Sequence, residues 1–355
     1  MRKNIYKLTA SALLLAVLTT GCAKTANSDS SKGGTSNTTV TEQTTDETVG
    51  TGEVSDTSET VYPLSIDVYG PDGEKYTQTF TEAPSKVVTN NPSSTDLLLE
   101  LGLEDKIIGI LQPDNAPDEK WASLYENLAV LGDKKTMSKE VIIGAEPDLI
   151  IGRAMPFTDD SMGTIKDLNE MDVNVYTQQA SNFVTEQSLD NIILDVRNTG
   201  KIFNVSEKAN AYADSLQTRL EAIKGKVSDQ SQTEPVKVLF MVTYTEGTFN
   251  TFGANSALQS EMLKTINAEN VLEMGTSSLT SENLVSLNPD VIVYIKSDRN
   301  AETDKTAVES LLADETIQSV PAIANDKIIE IGYDGIMDYG VRIFDTLEIL
   351  YDFIY

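Results

Sequence analysis

The chain has 355 residues, 40% of them hydrophobic and 23% charged, enough apolar material for a folded body of two domains of about 150 residues each. Its 55 Asp plus Glu against 27 Lys plus Arg give a formal net charge of -28, which repels a phosphate backbone and excludes nucleic acid as a partner. There is no histidine and one cysteine, Cys22, so His-dependent nucleophiles, imidazole ligation of zinc or haem and an intramolecular disulfide are all excluded.

Arg2, Lys3 and Lys7 precede an apolar run over residues 8–18. That run is shorter than the ~20 residues a membrane-spanning helix needs, and residues 1–21 read as an export signal. The sequence Leu18-Thr19-Thr20-Gly21-Cys22 resembles the bacterial lipoprotein signal, in which the cysteine becomes the acylated first residue; Thr19 stands where that pattern prefers Leu. The alternative is an ordinary secreted chain in which Cys22 is incidental. Residues 22–60 are rich in Thr, Ser, Gly, Asp and Glu and cannot repay their ordering entropy, so they form a disordered tether. A flexible coil of that length reaches on the order of 35 Å, which suits a lipid-anchored protein on the outer face of a Gram-positive cell membrane.

The folded part begins with an expected hairpin, residues 64–69 and 75–80 joined by Gly70-Pro71-Asp72-Gly73. Residues 86–89 read as a strand, 93–101 as a helix capped by Ser93 or Ser94 and ended by Gly102, and 107–111 as the next strand. Such alternation predicts an α/β fold with parallel sheets. Residues 138–151 then recur as 281–293: in each copy a glutamate, Glu140 or Glu282, lies seven residues before a Pro-Asp pair, Pro147-Asp148 or Pro289-Asp290. Each unit reads as a short capped helix stopped before proline and followed by a buried strand, and two copies predict two lobes of one design. Between them, residues 205–224 predict a helix with Ser206 as N-cap and Gly225 as stop, about 28 Å long at 1.5 Å per residue and so able to bridge two domains. A packing helix within one domain is the alternative. Residues 236–242 read as the first strand beyond it.

Pro84-Ser85-Lys86-Val87-Val88, Pro92-Ser93-Ser94-Thr95-Asp96-Leu97-Leu98 and Leu101-Gly102 with Lys106-Ile107-Ile108-Gly109 resemble the opening of the solute-binding proteins of ABC importers for ferric siderophores, haem and cobalamin. Gly132, Glu140 and Pro147-Asp148-Leu149-Ile150 resemble that family's next signature, and Glu282 with Pro289-Asp290 its counterpart in the second lobe. The resemblance runs over residues 61–355. It implies two Rossmann-like lobes, 61–204 and 227–355, joined by one long helix over 205–226, with the ligand in the cleft between lobes. It also implies that Glu140 and Glu282 pair with basic pockets of an ABC permease dimer served by a cytoplasmic ATPase, the binding protein itself being a monomer. Without the resemblance, each glutamate is a helix N-terminal carboxylate stabilised by the dipole.

Ligands of open α/β sheets bind beyond the carboxyl ends of the strands. That rule selects Asn90, Asn91, Pro92, Ser93, Gln112, Pro113, Arg153, Met155 and Phe157 in the first lobe. In the second it selects Tyr244, Thr245, Phe249, Phe252, Lys296, Arg299, Tyr333, Asp334, Met337 and Tyr339, any one of which could instead be a solvated loop residue or, for Phe249, core. Arg153 and Lys296 follow equivalent Pro-Asp strands, so each lobe is expected to present a cation to an anionic ferric catecholate or carboxylate complex. The Tyr, Phe and Met residues suit equally the broad neutral face of a corrinoid or hydroxamate complex. Haem, without an imidazole, ranks third, and free zinc or manganese is disfavoured for the same reason. No resident cofactor and no catalytic motif is expected. The rival functions are an extracellular sensor or adhesin of the same fold, and a carboxylate-dependent hydrolase.

Overall fold

The computed structural model describes residues 59–184, 186–231 and 234–355; the expected export signal, Cys22 and all of the tether but its last residues lie outside them. The hairpin forms as read, β1 (Leu64–Tyr69) pairing antiparallel with β2 (Lys75–Phe80). It is fastened to the first lobe through Gln78, whose side chain accepts from Val175 N–H at 2.9 Å and exchanges hydrogen bonds with Asn169.

The first lobe is a five-stranded, wholly parallel sheet of β3 (Val87–Thr89), β4 (Ile107–Leu111), β5 (Val130–Gly132), β6 (Leu149–Gly152) and β7 (Asn174–Thr177). The strand order is β5-β4-β3-β6-β7, the doubly wound arrangement, with its topological switch point between β3 and β6. Helices α1 (Pro92–Glu100), α2 (Ala122–Tyr125), α3 (Lys139–Gly144), α4 (Ile165–Asn169) and α5 (Leu189–Ile202) connect and cover the strands. Helix α1 starts at Pro92 with Asn91 as its N-cap, so Ser93 and Ser94 lie inside the first turn rather than at the cap.

Helix α6 (Ser206–Ser228) joins the lobes. Its N-cap is Val205, not Ser206, and it runs through Gly225. A glycine costs a helix interior only about 1 kcal/mol, and Val227 beyond it packs on the core, which is enough to carry the helix on. Ala209, Ala213, Leu216, Leu220 and Ile223 form its buried face.

The second lobe contains β8 (Val236–Thr245), β9 (Thr248–Phe252), α7 (Ala257–Thr265), β10 (Ala268–Asn270), β11 (Leu279–Thr280), α8 (Ser281–Leu287), β12 (Val291–Lys296), α9 (Ala301–Ala313), α10 (Pro321–Ala324), β13 (Ile328–Gly332), α11 (Tyr333–Ile336) and α12 (Arg342–Ile354). Its sheet is mixed, contrary to the expectation of parallel sheets throughout. Strands β10, β8, β12 and β13 run parallel, but β8 turns straight back into antiparallel β9, which pairs on with β11. The cause is local: Glu246 and Gly247 both have positive φ, 50° and 76°, the geometry of a two-residue hairpin turn. Salt bridges from Arg219 on α6 to Asp345 and Glu348 fasten α12 to the connecting helix.

The repeated Glu…Pro-Asp unit has the same construction in both lobes. The residue before each proline is left-handed, Glu146 at φ 53° and Asn288 at φ 49°. The aspartate after it staples two strands: Asp148 N–H donates to Lys86 C=O while its carboxylate accepts from Ser85 and Lys86 N–H, and Asp290 makes the same pair of bonds with Lys237.

Candidate functional site

The loops after β3 and β6, on either side of the switch point, meet at Arg153. Asn90 clamps its peptide, accepting from Arg153 N–H at 2.7 Å and donating to Arg153 C=O at 3.0 Å. Gly152 permits this approach, since a Cβ there would stand 1.8 Å from Asn90 Oδ1. Arg153, Asn90, Lys134, Met155 and Met162 line a cavity of about 180 Å³ on the first lobe.

From the second lobe, the segment after β13, Tyr333 to Gly340, is laid across this surface. Asp334 accepts from the N–H groups of Asp114 and Asn115 at 2.7 and 2.9 Å. Asp338 accepts from Ser93 N–H in the first turn of α1 at 2.7 Å, and its backbone carbonyl accepts from Asn91. Two cations lie over the Tyr333 ring, Lys134 Nζ 4.3 Å and the Arg299 guanidinium 5.1 Å from its centroid. Asp114 of the first lobe pairs with both Lys134 and Arg299, and Arg342 pairs with Asp96. Gln112, Pro113, Asp114 and Lys134 from one lobe and Asp298 and Arg299 from the other enclose a second cavity of about 210 Å³.

Electrostatics follow from this geometry. Burial works against the charge of Arg153, but Asp338, Tyr333 and Tyr339 more than offset it and its pKa is raised. Burial, with Asp338 and Asp114 nearby, pushes the Asp334 carboxyl up to about 7. Asp338 is also pushed up by burial, against the pull of Arg153 and of the Ser93 N–H.

Several sequence expectations are corrected. Phe157 is 2% exposed and belongs to the first lobe's core. Tyr244 and Phe249 pack in a separate core cluster of the second lobe, because the β8–β9 hairpin carries the end of β8 away from the seam; the Tyr244 hydroxyl donates to Asp314. Met337 is also core, whereas Phe252 stays half-buried against Tyr333, ring centroids 6.4 Å apart. Lys296 contributes its backbone to the seam, its C=O accepting from Asn115, but its Nζ pairs with Glu330 at 3.4 Å. The second cation beside Arg153 is therefore Lys134, which the sequence reading missed; β5 is only three residues long, and the basic pair Lys134-Lys135 just beyond Gly132 was the available signal. Asn90, Pro92, Ser93, Gln112, Arg153, Met155, Arg299, Tyr333 and Tyr339 all lie at or beside the seam.

Glu140 and Glu282 occupy the second position of α3 and α8, both exposed. Glu140 accepts from Ser138 Oγ at 2.7 Å, which lowers its pKa. Exposed valines accompany both, Val141 at 36% and Val285 at 39%, and Glu282 borders an open cavity of about 770 Å³ with Gly247, Val285 and Asp314. Among the described residues no group of three or more His, Cys, Asp and Glu could hold a metal ion, and no helix is long and apolar enough to cross a membrane.

A doubly wound lobe, a partner of related design, a single connecting helix and a seam lined by loops at the strand ends define a two-lobed solute-binding protein. The chain belongs to the periplasmic binding protein family, whose sequence pattern it matches over residues 87–334. That membership makes it a binding protein and not an enzyme. It is 25% identical over 297 residues, 83% of this chain and 86% of the other, to an uncharacterized ABC transporter substrate-binding lipoprotein of Bacillus subtilis (strain 168), YvrC. It is 24% identical over 289 residues, 80% of this chain and 73% of the other, to a cobalamin-binding protein of Halobacterium salinarum. Among solved structures, an ABC-type Fe3+-hydroxamate transport system chain from Saccharomonospora viridis DSM 43017 superposes with a TM-score of 0.65 at 20% identity, covering 83% of this chain and 99% of that one.

Proposed function

We propose that this chain is the extracytoplasmic substrate-binding component of an ABC importer, anchored through Cys22, which captures a metal chelate between its lobes and delivers it to a permease dimer driven by a cytoplasmic ATPase. The cargo is a ferric siderophore with exposed acidic groups. The observation that carries this reading is the convergence of Arg153 and Lys134 on one cavity beside Met155, in a chain whose net charge is -28. Two cations in a half-buried site offer charge-assisted hydrogen bonds to carboxylate or phenolate oxygens, and the thioethers offer an apolar wall to the rest of the chelate. A corrinoid is the second reading, favoured by the description of the Halobacterium salinarum relative and by the aromatic face of Tyr333, Tyr339 and Phe252. Haem ranks third because no histidine is present.

Both cavities at the seam are smaller than the ~300–1,000 Å³ of a typical ligand pocket, so loading a chelate requires the lobes to part. Docking to the permease is assigned to Glu140 and Glu282, each an exposed carboxylate beside an exposed valine at the start of an equivalent helix. Native mass spectrometry of the protein purified from its own host identifies the cargo. Uptake by cells carrying Glu140→Lys with Glu282→Lys separates import from sensing or adhesion. Import predicts normal ligand affinity with at least a tenfold loss of uptake; undiminished uptake at normal expression removes the docking role.

A further inference from the structure

Buried polar groups in native proteins almost always find a hydrogen-bond partner, so a cluster that does not marks a place built for a different occupant. Such a cluster lies where Asp338 crosses the seam. Asn91 Oδ1, Asp338 Oδ1 and Arg153 Nε are all buried and lack a hydrogen-bond partner, and Asn91 and Asp338 are each no more than 1% exposed. Asp338 engages Ser93 through one carboxylate oxygen, accepting from its N–H with the Ser93 hydroxyl beside it, and feels the charge of Arg153 without forming an ion pair with it. The N-terminus of α1 and Arg153 together form a receptor for an anion, and a carboxylate of the chain's own second lobe partly fills it.

We infer that Asp338 is an internal stand-in for an acidic group of the cargo: it closes the ligand-free lobes by occupying the anion position at Ser93, and a carboxylate or phenolate oxygen of the incoming chelate displaces it to reach Ser93 N–H and Arg153 together. This rests on the cargo class proposed above. The backbone around Asp338 is set for release. Tyr339, the next residue, is held at φ 52°, a conformation costly for an aromatic residue that needs its surroundings to impose it. Gly340 is pressed against Ser93 so closely that a Cβ would stand 2.1 Å from Ser93 Cβ. Burial raises the Asp338 pKa despite the Ser93 bond, so the position is electrostatically under-satisfied by its present occupant. An exchange of one carboxylate for another leaves the charge at α1 unchanged. A neutral chelate cannot make that exchange and must leave the N–H and the guanidinium unmatched, so the site favours acidic cargo.

The test uses full-length protein carrying Cys22→Ser, with nitroxides on cysteines replacing two exposed residues, Ser123 in the first lobe and Lys305 in the second. Interlobe distances are measured without ligand for the parent and for Asp338→Asn and Asp338→Ala, with thermal melts to verify folding. Binding is measured by calorimetry with the anionic ferric dicitrate complex and with a neutral ferric trihydroxamate. The expected result is a longer, broader distance distribution in both variants, and at least a tenfold gain in affinity for the citrate complex, which no longer has a carboxylate to displace. Asn, which retains the shape and loses the charge, gives the same direction as Ala. An unchanged distance distribution overturns the inference whatever binds, an unchanged or lowered affinity for the citrate complex overturns its displacement of Asp338, and a parent protein that binds the hydroxamate complex as tightly as the citrate complex overturns the preference for acidic cargo. A lengthened distribution with neither chelate bound by any form leaves Asp338 as a latch and overturns the proposed cargo class and with it the stand-in role.

Discussion

Gly340→Ala is expected to wedge the lobes apart. The new Cβ would sit 2.1 Å from Ser93 Cβ, 2.3 Å from Ser93 Oγ and 3.3 Å from Ser93 Cα. Carbon contacts are comfortable at about 3.5–4.0 Å, so the two backbones must separate by roughly 1.5 Å. Ser93 cannot yield by changing rotamer, because its Cβ is fixed to α1, whose first turn is buried. The same displacement stretches the 2.7 Å bond from Ser93 N–H to Asp338 beyond hydrogen-bonding range. Overpacking costs about 1–3 kcal/mol and a hydrogen bond to a charged group contributes about 1.5–3 kcal/mol. The two are not additive, since opening the seam relieves the clash while losing the bond, and a net loss of about 2–4 kcal/mol is expected. For a body of this size that lowers the thermal midpoint by about 3–6 °C. Calorimetric melting of the ligand-free protein reads the shift, and small-angle scattering reads the opening. Gly225→Ala serves as the control: a Cβ there meets nothing within 4 Å, and the helix should gain up to about 1 kcal/mol. A Gly340→Ala melt within 1 °C of the parent, with an unchanged scattering profile, would refute the closed seam.

Three further outcomes are expected. Arg153→Ala weakens an anionic ferric chelate by about 1.5–3 kcal/mol per lost charged hydrogen bond, Lys134→Ala, whose ammonium is shared with Asp114, weakens it less, and Lys296→Ala, whose ammonium is paired with Glu330 away from the cavity, leaves titrated affinity within twofold. Ligand-free stability falls as pH rises from about 4 to 8. Asp195 and Asp334 are both pushed from 3.8 up to about 7, chiefly by burial, so their stabilising contribution is complete below the unfolded value and lost as pH passes the folded one. Asp338, Asp114, Lys134 and Arg342 act on Asp334, and Asp334→Asn should flatten part of that fall in pH-dependent melts. Below pH 4 the sign reverses, because Asp314, Glu348 and Glu140, held low by their hydrogen bonds, lose their contribution on protonation; a midpoint that rises from pH 4 to pH 8 contradicts this assignment.

How much of this was legible depended on whether the determining contacts were local. The hairpin and the strand Ile107–Leu111 could be placed to the residue, because turn residues and a short β-branched run specify them within the segment itself. The ends of α6 could not, because tertiary packing of Val227 outweighs the local cost of Gly225. The turn at Glu246-Gly247 was a local signal for a hairpin that went unread, and that omission misplaced Tyr244 and Phe249. The seam was legible only as a set of loops. That Asp338 reaches Ser93 and Asp334 reaches Asp114, spanning 245 and 220 positions of sequence, depends on the docking of one lobe on the other, which no periodicity encodes.

The duplication explains the polarity of the site. Asp148 and Asp290 make the same strand staple, so the residues that follow β6 and β12 start from equivalent backbone positions. They then diverge. After β6, Gly152 lets Asn90 grip the chain and hold Arg153 toward the switch point. After β12, Lys296 meets Glu330 on neighbouring β13, and its cation is consumed within its own lobe. The second lobe instead sends Asp334 and Asp338 across the seam. The first lobe thus supplies Arg153 and Lys134 to the cavity, while the second supplies Asp334 and Asp338 to backbone N–H groups across the seam, together with Arg299 and Arg342, whose ion pairs with Asp114 and Asp96 cross it in the opposite sense. Cargo and closure therefore compete at the first turn of α1, and tight binding requires a ligand able to offer Arg153 and the Ser93 N–H more than Asp338 does.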